Sequence, residues 1–213
     1  MKDNRKFIVS ILLLAAFALW TVAVCFLDVQ AIGPQGSSVG FAGINRFVHD
    51  LTGVHYNLYN ITDWLGLVPI FVCMCFGVLG LVQWIKRKSI CKVDFDILLL
   101  GGFYIVTIAF YLFFESVVVN YRPVLIGGFL EASYPSSTTM LVMCVMPTAI
   151  IQLKDRIKRR ALRNTVSIAI IIFTTFMVIG RLISGVHWFT DIVGGAILSA
   201  GLVMMYISAS KIR

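Results

Sequence analysis

Long apolar runs separated by short polar stretches dominate the sequence. Six such runs occupy residues 7–27, 62–84, 95–115, 136–153, 165–184 and 187–208. Each is close to the roughly 20 residues that an α-helix needs to cross a bilayer. Backbone groups in lipid must be paired internally, and no run alternates in the way that a barrel strand does. The pattern therefore predicts six transmembrane helices.

The longest polar segment, residues 28–61, follows the first run. Within it, apolar residues recur at the spacing of one helix face, at Ile44, Phe47, Val48, Leu51 and Val54. This spacing predicts a short helix that lies in the membrane interface. We therefore expect an all-α fold, in which a six-transmembrane-helix bundle carries a short interfacial helix between helices 1 and 2. Residues 1–213 form a single integral membrane domain in this prediction.

Composition and charge agree with a membrane protein. Hydrophobic residues make up 59% of the 213 and charged residues 13%, with a mean hydropathy of +0.92, far from the composition of soluble domains. Of the 18 basic residues, 15 flank the apolar runs on one side of a six-span arrangement: Lys2, Arg5, Lys6, Lys86, Arg87, Lys88, Lys92, Lys154, Arg156, Lys158, Arg159, Arg160, Arg163, Lys211 and Arg213. This asymmetry predicts that both termini are cytoplasmic, with the plasma membrane as the default location. Because these basic clusters are short loops beside spans, we expect no nucleic-acid partner.

Three polar stretches meet at the opposite, outer end of the predicted bundle, at residues 115–123, 134–139 and 181–191. Arg122 and Arg181 offer planar forks of donors that suit phosphate oxygens. The start of the fourth helix adds backbone N–H groups that can also hold an oxyanion. The sequence therefore predicts an anion site at this end.

His187 and Asp191 give that site a possible nucleophile. They are four residues apart at a predicted helix start, hence on one face, so the carboxylate can orient the imidazole. The other ring nitrogen is then free to attack phosphorus. This chemistry requires no metal and no cofactor, and the five cysteines lack the spacing of a metal site or a disulfide framework.

These residues resemble the three signature stretches of the type 2 phosphatidic acid phosphatase family, also called lipid phosphate phosphatases. In that family the stretches read Lys-x6-Arg-Pro, Pro-Ser-Gly-His and Ser-Arg-x5-His-x3-Asp, on six transmembrane helices with the site at the outer face. Arg122-Pro123, Pro135-Ser136 and the run from Arg181 to Asp191 fit these stretches. The resemblance implies a lipid phosphate substrate, a phosphohistidine on His187 oriented by Asp191, and phosphate binding by Arg122, Ser136, Ser137 and Arg181.

The chain departs from the family's pattern at two functional positions. Glu115 stands where the family has a phosphate-binding Lys, and Thr138 stands where it has the His that protonates the leaving group. A missing acid matters least when the leaving group is already a stable anion, as in a diphosphate. We therefore expect an isoprenoid diphosphate to be favoured over phosphatidic acid.

Two other functions stay open at this point. The departures also fit a pseudophosphatase that binds a phospholipid headgroup or a partner without hydrolysing it. A small transporter is a weaker alternative, since the polar residues cluster at one face and no inverted repeat is evident. If the chain is an enzyme, the proton can come from His49, His55, Tyr134 or Glu115. The oligomeric state is left open.

Overall fold

The computed structural model describes residues 2–210 and the side chains of residues 5–210. Three parts of the orientation prediction, the side chain of Lys2 and the residues Lys211 and Arg213, lie outside this range. Within it the chain forms eight α-helices and no strand, which confirms the all-α prediction. Their bounds are α1 Lys2–Phe26, α2 Ala42–Thr52, α3 Tyr56–Leu65, α4 Leu67–Arg87, α5 Phe95–Ser116, α6 Ser137–Arg156, α7 Arg160–Ile183 and α8 Phe189–Ser210.

Six helical segments of residues 2–210 are long and apolar enough to cross a membrane, as predicted: Arg5–Phe26, Tyr56–Arg87, Phe95–Ser116, Ser137–Arg156, Arg160–Ile183 and Phe189–Ser210. The second segment begins earlier than its apolar run, because α3 and α4 follow one another with only Gly66 between them. The polar residues of α3 concealed this extension, and of these Thr62 is buried against Gly180 and Arg181 of α7 whereas Asn57, Asn60 and Asp63 are exposed. Helix α2 is the short helix predicted between helices 1 and 2, and its place in the interface stays a prediction.

The bundle is built around α6 and α8, which are the most buried of the six segments. Helix α1 packs along α8, and α6 contacts α4, α5, α7 and α8. A continuous apolar cluster joins α1, α4, α5, α6 and α8 and includes Phe17, Leu100, Tyr134, Cys144 and Leu198. This packing fixes the relative positions of the N-terminal ends of α6 and α8, where the candidate site lies.

Two connections complete that end of the bundle. The α5–α6 connection folds back on itself, because the Tyr121 and Ala132 backbones pair and the Ser133 N–H donates to the Asn120 carbonyl at 2.9 Å. We call residues 117–136 the site hairpin. The α7–α8 connection lies against the α2–α3 connection, where the His55 N–H donates to the Ser184 carbonyl at 3.0 Å.

Candidate active site

His187 and Asp191 lie together in the buried centre of the site, but a third side chain stands between them. His187 Nδ1 is 4.0 Å from Asp191 Oδ2, too far for a direct hydrogen bond. The Ser133 hydroxyl donates to Asp191 Oδ2 at 2.5 Å and lies 3.0 Å from His187 Nδ1. The carboxylate predicted to orient the imidazole therefore reaches it through Ser133.

Asp191 itself is held by several donors. Its Oδ2 accepts from the Trp188 N–H at 2.9 Å, and its Oδ1 accepts from Asn120 Nδ2 at 3.2 Å. The residue is completely buried, and it lies in the first turn of α8, where the helix dipole favours a carboxylate. Helix α8 begins at Phe189, two residues later than the apolar run. The Asp191 side chain accepts from the N–H of Trp188, the residue just before the helix start.

These contacts determine which nitrogen of His187 carries the proton. Since the Ser133 hydroxyl donates to Asp191, its oxygen is left to accept from Nδ1–H of His187. Nε2 then holds a lone pair, and it faces the Arg181 guanidinium, with Nη2 at 3.4 Å. Burial and the nearby positive charges of Arg122 and Arg181 hold the pKa of His187 well below its usual range, so the imidazole is neutral and able to act as a nucleophile.

The two arginines of the predicted anion site lie near one another and near His187. Their guanidinium carbons lie near the Tyr59 ring, at 5.9 Å from its centroid for Arg122 and 5.0 Å for Arg181. Arg122 Nη1 and Arg181 Nε are buried and find no hydrogen-bond partner within residues 2–210. Buried charged donors without partners are costly, so the arrangement suits an anion that would pair with both.

Two carboxylates partly neutralise the arginines. Glu131 Oε2 lies 3.1 Å from Arg122 Nε, and Asp63 Oδ1 lies 3.6 Å from Arg181 Nη1. The backbone pairing in the site hairpin brings Glu131 beside Arg122, whose backbone N–H donates to the Glu131 carbonyl at 3.0 Å. Both carboxylates are substantially exposed, so they leave the buried faces of the guanidinium groups uncovered.

The N-terminus of α6 lies beside His187 as predicted. Ser136 is the N-cap, and its hydroxyl accepts from the Thr139 N–H at 3.5 Å. Its own N–H donates to the Asp191 carbonyl at 3.0 Å, which ties the starts of α6 and α8 together. The hydroxyl and the N–H of Ser136 thus both have partners within the protein, whereas Ser137 lines the cavity described next.

A polar cavity and an apolar groove meet at Ser137. The cavity has a volume of about 480 Å³, and its polar lining includes Arg122, Ser133, Ser137 and His187. The groove has a volume of about 550 Å³ and lies between α4, α5 and α6, where it is lined mostly by apolar residues. Tyr111, Ser137 and Met140 line both spaces, so a molecule with a polar head and an apolar chain fits across the junction.

The four candidate proton donors lie in different surroundings. Glu115 lines the polar cavity. Tyr134 also lines it, but its hydroxyl bonds with that of Thr21 at 2.7 Å, on the α1 side. His49 packs against the Trp188 ring, with centroids 5.5 Å apart, and His55 Nε2 lies 2.8 Å from the Thr52 carbonyl oxygen. Neither histidine lines the cavity or the groove.

Five residues around the site were not anticipated from the sequence: Asn120, Ser133, Glu131, Tyr59 and Asp63. The first three belong to the site hairpin, and the available signal was their position in a polar, Gly-containing connection just before the Pro135-Ser136 stretch. Thr138, by contrast, lines the apolar groove together with Asp63. The described residues contain no group of three or more His, Cys, Asp or Glu side chains suited to a metal.

Comparisons with known proteins give two matches. The model of the PAP2 superfamily matches residues 104–212, a range that contains the candidate nucleophile, its carboxylate and the predicted phosphate-binding residues. The fold is similar to the crystal structure of a transmembrane PAP2-type phosphatidylglycerolphosphate phosphatase from Bacillus subtilis, with a TM-score of 0.60 over 96% of this chain and 97% of that chain. The two sequences are 18% identical, so this likeness shows the fold alone. No curated protein sequence matches the chain significantly.

Proposed function

The chain belongs to the PAP2 superfamily, and on that premise we propose that it is a membrane-embedded phosphatase acting on a lipid phosphate or diphosphate through a phosphohistidine on His187. Arg122, Arg181 and Ser137 bind the phosphate, while Ser136 holds the start of α6 in place. Asp191 orients the nucleophile through Ser133. The reaction takes place at the outer face of the membrane.

The observation that carries this proposal is the environment of His187 Nε2. A buried, neutral imidazole nitrogen faces a guanidinium at 3.4 Å, and two buried arginine nitrogens nearby find no partner among the described residues. A phosphoryl group between these arginines would bring its phosphorus within reach of the lone pair.

The first chemical step is attack of Nε2 on the terminal phosphorus. The new P–N bond forms as the P–O bond to the lipid breaks, and the electron pair leaves with the lipid oxygen. The imidazole becomes positively charged, and its Nδ1–H donates to Ser133, which donates to the Asp191 carboxylate. Water then attacks phosphorus, the P–N bond breaks, and phosphate leaves with the nitrogen lone pair restored.

The two adjoining spaces support a lipid substrate with an anionic head. The apolar groove suits an isoprenoid or acyl chain, and the polar cavity suits the phosphate. Thr138 lines the groove where the resemblance implies an acidic His, and a hydroxyl does not donate a proton efficiently near neutral pH. A diphosphate releases a phosphate monoester anion, with a second pKa of about 6, so it needs no such proton. We therefore propose isoprenoid diphosphate as the favoured substrate.

The proposed orientation rests on the basic loops. The α4–α5 and α6–α7 connections, together with the helix ends beside them, carry ten of the 18 basic residues, and by connectivity they lie at the end of the bundle opposite the candidate site. Positive loops favour the cytoplasmic side, which leaves the site at the outer leaflet and both termini in the cytoplasm. The plasma membrane is the proposed location.

The test is phosphate release by purified protein in detergent, with an isoprenyl diphosphate and phosphatidic acid as alternative substrates and His187→Ala as control. We expect faster release from the diphosphate and loss of release in the variant. Faster turnover of phosphatidic acid would contradict the substrate preference. Release from substrate added outside sealed vesicles of known protein orientation would test the outer-face site.

A pseudophosphatase that binds a phospholipid headgroup is the second candidate. It is favoured by one observation, the Glu131 carboxylate on Arg122 in a cavity that Glu115 also lines. Two carboxylates repel the dianionic phosphate of a monoester substrate more strongly than the singly charged phosphate of a phospholipid headgroup. If neither substrate is hydrolysed but Thr138→His makes the protein active, the scaffold is intact and the chain is a binder.

A further inference from the structure

One carboxylate lies where the leaving lipid would depart. Asp63, near the end of α3, lines the apolar groove together with Thr138 and Ser137. No other Asp or Glu among residues 5–210 lines that groove. The resemblance implies proton transfer to the leaving group from the position of Thr138. Asp63 lies on the same side of the site as Thr138 but belongs to a different helix.

Asp63 is also close to the nucleophile. Its Oδ1 lies 3.6 Å from Arg181 Nη1, and Nη2 of the same guanidinium lies 3.4 Å from His187 Nε2. The Asp63 carboxylate therefore lies beside one terminal nitrogen of Arg181, and His187 Nε2 lies beside the other. A phosphoryl group bound to Arg181 would have His187 on one side and the groove with Asp63 on another.

The position of Asp63 is fixed by tight packing of α3 on α7. The preceding residue, Thr62, is completely buried, and its hydroxyl oxygen lies 3.5 Å from Arg181 Nη1. A Cβ at Gly180 would come within 2.9 Å of Thr62 Cγ2, so the close approach of the two helices depends on this glycine. Gly180 stands where the family has Ser, and its contact with Thr62 gives a physical reason for that departure.

Resting on the proposed function, we propose that Asp63 is a catalytic residue of the second step. The Asp63 carboxylate takes a proton from the water that attacks the phosphohistidine. As the O–P bond forms, the P–N bond breaks, its electron pair returns to His187 Nε2, and phosphate is released with Asp63 protonated. The proton then leaves Asp63, whose side chain is not enclosed by the protein and is 58% exposed.

In-line geometry places that water on the correct side. The entering and leaving groups of a phosphoryl transfer lie roughly opposite one another, so water must approach opposite Nε2, along the path that the lipid has vacated. The lipid chain occupies the groove, and Asp63 lines the groove. Glu115 and Glu131 line the polar cavity instead, so they are not placed on this path.

The test is Asp63→Asn with an isoprenyl diphosphate labelled in its terminal phosphate, followed through one turnover with an alkaline quench that preserves phosphohistidine. Phosphohistidine should form within about 3-fold of the normal rate but hydrolyse about 100-fold to 10,000-fold more slowly, so that label accumulates on the protein. Asp50→Asn, an exposed carboxylate on α2 outside the site, is the matched control and should leave both rates unchanged.

Other outcomes would overturn the proposal. If Asp63→Asn slows phosphohistidine formation and hydrolysis equally, Asp63 acts only by orienting Arg181. If the variant hydrolyses phosphohistidine at the normal rate, Asp63 has no role in the second step. Adding Thr138→His to Asp63→Asn should restore hydrolysis of the intermediate, whereas Asp63→Glu should retain part of it. If the unmodified protein forms no phosphohistidine at all, the proposed function itself fails, which this experiment separates from a failure confined to Asp63.

Discussion

At the scale of single residues, the candidate site depends on one hydroxyl. Ser133 is buried and is the connection between His187 Nδ1 and the Asp191 carboxylate, which are 4.0 Å apart. Spacing along the chain predicts that His187 and Asp191 share a face, but it does not predict a third side chain between them. That side chain comes from a hairpin more than fifty residues earlier in the sequence.

Replacement of Ser133 by Ala should lower kcat about 10-fold to 100-fold with little change in KM. Removal of the hydroxyl leaves a buried group without its partner, at a cost of about 1–3 kcal/mol, and each 1.4 kcal/mol is about tenfold in rate. Ser133→Thr, which keeps a hydroxyl, should restore most of the rate. The ¹⁵N chemical shifts of His187 should show a change of imidazole tautomer in Ser133→Ala. Ser10→Ala, which removes a buried hydroxyl on α1, is the control, and an unchanged His187 tautomer would reduce Ser133 to a packing role.

The charge state of His187 gives a second prediction at this scale. Its pKa is lowered by burial first and by Arg122 and Arg181 next, so protonation, which would abolish nucleophilicity, requires a lower pH than usual. We expect the ¹⁵N signals of His187 to stay those of the neutral ring as pH falls through about 6.5, the ordinary value. His187→Gln assigns the signals of this three-histidine chain. A titration midpoint at or above 6.5 would contradict the geometry of two arginines beside a buried ring.

At the scale of secondary-structure elements, short connections rather than the long helices bring the reactive groups together. Gly185 has a φ of +68°, and a Cβ there would lie 1.9 Å from the Gly53 carbonyl oxygen. The α7–α8 and α2–α3 connections therefore pack backbone against backbone. Helix α2 is tied to the start of α8 as well, because the buried Asn45 bonds with Thr190 through both ends of its amide.

Gly185→Ala should lower the thermal stability of the detergent-solubilised protein and abolish most phosphate release. The substitution introduces a strained φ, which costs about 1–2 kcal/mol, and a clash that displaces α3 from His187. Gly36→Ala is the matched control, since Gly36 has a φ of +75° but open space around it. Equal effects of the two substitutions would mean that the close approach of the connections contributes nothing to the site.

At the scale of the whole molecule, the sequence predicts the bundle well and the candidate site only in part. Length and hydropathy locate the six spans because lipid imposes a strict requirement on both. Arg122, Ser137 and His187 line one cavity, as their three stretches predict. The contacts of Ser133 with His187 and of Asp63 with Arg181 were not predicted, because they arise from the return of the site hairpin and from the packing of α3 on α7. Neither contact leaves a periodic signal in the sequence.

The junction of the polar cavity and the apolar groove at Ser137 has a consequence for how such an enzyme would respond to its surroundings. Of the two products, phosphate would enter water while the shortened lipid would return to the bilayer. Adding buffer dilutes the first and leaves the second unchanged. The substrate lipid lies in the bilayer too, so the turnover rate should follow its mole fraction among membrane lipids. Adding inert phospholipid would then slow the reaction at constant bulk substrate concentration.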